Sequence, residues 1–176
     1  MALKTKIQRR YLITFLFLIT AVILIFGVRR TTDSRSPRIE LITVEEGRQR
    51  VSLSQMKRLP SLTRKGMVQN QYGNWRDEGV YTGVRLTELI GPNADYDVLL
   101  VEAADGYAIE IERERVEDPD YPMVLATAFN GIEVPDWGDG FRIAVLPEDG
   151  DVSNEEYGVP SAGSYWVRNV IKITLR

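Results

Sequence analysis

The run YLITFLFLITAVILIFGV, residues 11–28, carries no charge over 18 positions and divides the chain before any other feature does. As a helix it would span roughly 27 Å, close to a bilayer hydrocarbon thickness of about 30 Å. Secretory signal cores are shorter and end in small residues, whereas this run ends in Gly27-Val28-Arg29-Arg30, so the sequence predicts an uncleaved single-pass transmembrane helix. Lys4, Lys6, Arg9 and Arg10 precede the run and Tyr11 stands at one interface. This pattern favours a cytoplasmic tail over 1–10 and a C-terminal domain outside the cell membrane. Residues 29–38, polar and ending near Pro37, read as a linker, and 39–176 as one domain.

Charge separates the two parts further. Six of the 22 Lys and Arg residues and none of the 25 Asp and Glu fall in the first thirty positions, which leaves the remainder near −9. That balance argues against nucleic acid or an anionic surface as the domain's partner. The chain has no cysteine and no histidine. It therefore lacks thiolate ligands, disulfides, the commonest general base, the usual zinc ligand and every Ser-His or Cys-His arrangement.

Period-two alternation dominates the domain, most clearly in YAIEIER, where Ile109 and Ile111 alternate with Glu110 and Glu112, and in the final VIKITLR. Further strands are expected over 39–44, 48–53, a pass from Gly66 to Gln71, 96–103, 123–129 and 141–147. Asn130-Gly131 predicts a type I′ hairpin. Two short helices are expected: one in SQMKRL after a Ser52 or Ser54 cap and stopped by Pro60, the other in RLTELI and stopped by Gly91-Pro92. The fold class is α+β, mainly β. Gly83 reads as a bend delivering Val84 and Leu86 to the core, and Asp105-Gly106 as a turn before Tyr107.

The order of pieces LSQMKRLP, YTGVRLTELI, ADGYAIEI, VLATAFNGIEV, GFRIAVLP and YWVRNVIKITL resembles the molybdopterin-binding domain of the sulfite oxidase family over roughly residues 48–176. The resemblance implies that fold. It also implies a molybdenum-ligating cysteine just after the LP segment, where this chain has Met67 or Val68 instead. Thioether and hydrocarbon do not replace a thiolate. Met67, Asn70, Tyr72, Trp75, Tyr107, Arg142 and Arg168 are the candidate cofactor-binding residues that it implies. The arginines could hold an anion, although each also reads as a solvated strand residue. With the cysteine missing, the expected function is a non-catalytic binding or scaffold module without a cofactor, partnered by another membrane or extracytoplasmic protein. The alternative is a molybdopterin-dependent oxidoreductase, or a subunit of one, that holds its cofactor by other ligands.

Two other features have ordinary readings. Glu148, Asp149, Asp151, Glu155 and Glu156 invite a calcium site, but their spacing departs from the known loop and predicts a hydrated segment. Trp166 is expected in the core, while Trp75 and Trp137, in glycine-rich stretches, are candidates for a partner-binding patch.

Overall fold

The computed structural model describes residues 36–45 and 47–176. The expected tail, transmembrane helix and most of the linker lie outside the described residues. No helix among the described residues is long and apolar enough to cross a membrane.

Alternation in the sequence becomes two sheets around a shared hydrophobic core. The first has the order β2-β1-β11-β5-β6, from β1 (Arg38–Thr43), β2 (Gly47–Ser52), β5 (Val98–Ala103), β6 (Ala108–Glu112) and β11 (Val170–Leu175). The first and last strands, β1 and β11, run parallel, with Leu41 opposite Ile173, and the other pairs are antiparallel. Buried Leu99, Val101 and Ala103 alternate with half-buried neighbours along β5. One face therefore meets the core, as period two requires.

The second sheet has the order β10-β3-β4-β7-β8, from β3 (Ser61–Gln69), β4 (Trp75–Arg85), β7 (Met123–Phe129), β8 (Ile132–Glu133) and β10 (Asp151–Val152), with β9 (Arg142–Val145) also paired to β7. Here β9 is buried along its whole length and β7 up to its last residue. Asn130 and Gly131 adopt φ of 49° and 80°, and the Asn130 side chain accepts the Val80 N–H at 2.8 Å, so the expected hairpin turn also anchors β4.

Both expected helices form, as single short turns. In α1 (Leu53–Met56), Ser52 and Gln55 make a reciprocal capping box, and Leu53 and Met56 are buried. It ends at Lys57, before the expected Leu59. The second, α2 (Leu86–Ile90), stops at Gly91, whose φ of 92° suits glycine. A third turn, α3 (Arg113–Val116), and a 3-10 turn over Ala162–Tyr165 were not anticipated.

The main correction concerns residues 75–85. The sequence suggests a glycine-rich stretch around Trp75 and a bend at Gly83, yet these residues form the longest described strand, β4, between β3 and β7. Its glycines mark close approach instead of bending. A Cβ on Gly83 would run into the Leu125 carbonyl and lie 2.6 Å from Ala126 Cα, and one on Gly79 would strike the Phe129 ring. Trp137 is likewise corrected from a surface candidate to a core residue, stacked on Phe129 with ring centroids 5.5 Å apart. Within the acidic segment, Asp151 and Val152 form β10, parallel to Met67 and Val68, and no group of acids among the described residues could hold a metal ion.

Candidate functional site

A cavity of about 550 Å³ opens where the β3–β4 hairpin meets the β5–β6 turn and the segment around residues 161–168. Local chemistry fixes each of these three walls. At the hairpin tip, Asn70 Oδ1 accepts the backbone N–H groups of Tyr72 and Asn74 at 2.9 and 3.0 Å, and Gly73 takes a φ of 76°. Asn154 ties this tip to the opposite wall by donating to the Asn70 carbonyl while accepting from the Ala162 N–H, both at 2.8 Å. In the β5–β6 turn, Asp105 Oδ1 accepts the Tyr107 N–H at 2.9 Å, and the Tyr107 hydroxyl donates to the Ser164 carbonyl at 3.1 Å.

The decisive side chain comes from an irregularity in β4. Between the pairs Gly66–Gly79 and Val68–Arg76, β3 advances two residues while β4 advances three, so Asp77 and Glu78 together oppose Met67. Asp77 adopts a φ of 61°, the left-handed conformation that glycine usually supplies in such a bulge. The Tyr81 hydroxyl donates to the Asp77 carbonyl at 2.6 Å and holds the distortion in place. Burial pushes the Tyr81 phenol well above its ordinary pKa, which keeps it a donor. The bulge turns the Asp77 carboxylate into the cavity.

There it bridges two guanidinium groups. One oxygen pairs with Arg142 Nη2, and the other accepts from Arg168 Nη2 at 2.6 Å. Asp139 closes the circuit behind them, 3.1 Å from Arg142 Nη1 and 3.6 Å from Arg168 Nε. The chain reversal that presents Asp139 is fastened to the Arg168 segment by the Asn169 N–H, which donates to the Asp139 carbonyl at 2.8 Å. Arg142 is almost completely buried, its guanidinium 5.3 Å from the Trp166 ring centroid and 5.7 Å from that of Tyr81. A charge so far from water requires paired counter-ions, and the two carboxylates supply them.

The electrostatics agree with the geometry. Burial pushes the Asp77 carboxyl up, but hydrogen bonds and charge from Arg142 and then Arg168 outweigh it and hold the group below its ordinary 3.8. Burial opposes the Arg168 charge in the same way, and Asp77 again outweighs it. Two buried donors, Arg142 Nε and Trp166 Nε1, have no hydrogen-bond partner.

Of the seven candidate residues, Asn70, Tyr72, Tyr107, Arg142 and Arg168 line the cavity, whereas Met67 and Trp75 do not. Val68, beside Met67, does line it. Asn70 acts through its turn, and Tyr72 is exposed at the mouth. Arg142 is corrected from a solvated strand residue to a buried ion-pair centre. Asp77, Asp105, Ser161 and Ser164 were missed as wall residues, as was Asp139 behind them. Nothing in RDEGV marks Asp77 as left-handed, because the bulge is specified by pairing with β3.

No protein-family model matches the sequence, and neither does any curated protein. Among solved structures, the crystal structure of the sulfane dehydrogenase SoxCD from Paracoccus pantotrophus matches with a TM-score of 0.57 at 17% identity. The match covers 79% of this chain and 38% of that one. This likeness shows a mainly β fold shared with part of that protein, and it extends to the fold alone.

The wall residues do not fit the molybdopterin centre that the resemblance implies. Val68 offers hydrocarbon, Met67 lies off the wall, and the chain has no cysteine with which to form a molybdenum–thiolate bond. The two arginines suited to an anionic group already carry carboxylates.

Proposed function

We propose that this chain is a membrane-anchored, non-catalytic binding module. Residues 11–28 hold it to the membrane, the folded domain faces outward, and the cavity receives a ligand or a projecting group of an extracytoplasmic partner without transforming it. The observation that carries this reading is the Asp77 bridge, which supplies a counter-ion to both arginines from within the protein. Chemical inventory supports it: a site without imidazole or thiolate, whose central carboxylate is held ionised by two guanidinium groups, has a poor base and no soft ligand. The cavity size lies in the range that accepts small organic ligands, roughly 300–1,000 Å³. Tyr72 and Tyr107, both exposed at the opening, supply amphipathic contact surface there.

Metal analysis and an absorption spectrum of protein purified from its own membrane test the reading. The expected result is neither molybdenum nor pterin absorbance in stoichiometric amount. A stoichiometric molybdenum cofactor that co-purifies with the chain would overturn it.

A further inference from the structure

We propose that Asp77 is the resident occupant of an oxyanion place, and that it makes the cavity refuse small inorganic oxyanions. The inference rests on the binding-module reading for its biological meaning, but it is argued from the site alone. Two guanidinium groups converge on the two oxygens of one carboxylate, an arrangement that equally recognises sulfate or phosphate. Asp77, Arg142 and Arg168 all line the cavity, whereas Asp139 does not, so an anion entering from solvent meets the groups that Asp77 already holds. Asp77 retains partial exposure and can be reached, with 24% of its side chain accessible. Its left-handed bulge exists at the one point where β3 and β4 lose register beside the cavity, and it aims this carboxylate at the two arginines.

Charge then sets the ligand class. With Asp139 included, the site holds Arg76, Arg142 and Arg168 against Asp77, Asp105 and Asp139, a balance of zero. A small dianion gains no net attraction and would have to displace a carboxylate that is covalently part of the strand. The cavity therefore selects neutral or zwitterionic groups. Removing the Asp77 carboxylate leaves two arginines facing the space with one counter-ion behind them, and a sulfate-sized anion replaces what was lost.

Asp77→Gly separates place from backbone, because glycine adopts the left-handed conformation without a Cβ penalty. Sulfate is titrated at low millimolar concentration into the full-length protein at constant ionic strength, with chloride as the reference, and read by calorimetry for a saturable heat, because sulfate raises thermal midpoints by general exclusion from protein surfaces. Wild type is expected to show no saturable sulfate binding. Asp77→Gly gains saturable sulfate binding, tighter than wild type by about tenfold or more, as a newly freed bidentate guanidinium contact provides. Adding Arg168→Gln to that variant abolishes the gain, and Asp139→Asn alone produces none. Wild-type binding equal to that of Asp77→Gly, no gain in Asp77→Gly, or an equal gain in Asp139→Asn would each overturn the proposal. If Asp77→Gly fails to fold in chloride, refolding in sulfate reads the same place, with Arg168→Gln added as the control for the general stabilisation that sulfate gives any fold: rescue that Arg168→Gln removes supports the proposal, and rescue that survives Arg168→Gln, or no rescue at all, overturns it. Molybdenum content bears only on the binding-module reading, so the two can fail separately.

Discussion

The two sheets solve different problems. In the five-stranded sheet, burial follows the pleat along β5 and along β11 from Lys172 onward, after one slip of register between Val170 and Lys172 that leaves Ile171 exposed, and the register carries charge pairs such as Lys172–Glu102 at 2.6 Å on the other face. In the second sheet β7 and β9 are buried almost throughout, β4 is distorted at Asp77, and pairing slips again between Thr82 and Gly83. The first sheet therefore has its charges half in water and its hydrocarbon inside. The second has a guanidinium inside. Irregular pairing is what brings Asp77 to that guanidinium, so the functional geometry resides where the simple period fails.

Substitutions graded across the two sheets test this contrast. The largest loss is expected for Gly83→Ala, whose methyl meets β7 backbone and not a side chain that could turn aside. Overpacking against backbone places the cost at about 4 kcal/mol or more in urea unfolding. If Gly83→Ala costs no more than an exposed substitution, β4 does not approach β7 as closely as described. Next comes Arg142→Met, which strands Asp77 and Asp139 beside one remaining arginine. Its expected cost is about 3 kcal/mol, the lower end for breaking a buried pair because both carboxylates keep some access to water.

Asp77→Asn is expected to cost about 2 kcal/mol near neutral pH, the scale of hydrogen bonds to charged groups. Its pH dependence has a definite sign. Because the folded-state pKa of Asp77 is depressed, its stabilisation is complete above the unfolded value and is lost as pH falls through the folded one. The stability gap between wild type and Asp77→Asn should be level from neutral pH to about 5 and shrink below about 4, near the unfolded aspartate value. A gap that instead grows on acidification would show that the carboxylate is not held ionised. The smallest effect falls in the five-stranded sheet, where Lys172→Met removes a partly exposed partner and should change stability by less than about 1 kcal/mol. Equal costs for Arg142→Met and Lys172→Met would erase the distinction between the sheets.

Legibility in the sequence follows the same division. The alternation around Ile109, the Asn130-Gly131 turn, the Ser52 cap and the Gly91 stop are local, and each forms where its chemistry predicts; the alternation of the last strand holds for Ile173 and Leu175 but fails at Ile171, which is exposed where the pairing with β5 slips. Strand β4 was hidden because Gly79 and Gly83 resemble turn residues, whereas they are small to admit Phe129 and the β7 backbone. Five candidate site residues could be gathered around one cavity, since the resemblance implied them from the order of pieces along the chain. Their counter-ions could not. Asp77 and Arg142 are 65 positions apart, and only the bulge and the packing of β9 against residues 167–170 bring them together.

The most direct measurement is a high-resolution crystal structure of the full-length protein grown from concentrated sulfate. The account predicts the Asp77 carboxylate between Arg142 and Arg168, with no sulfate on either guanidinium inside the cavity. A sulfate bridging the two arginines with Asp77 turned away would contradict it.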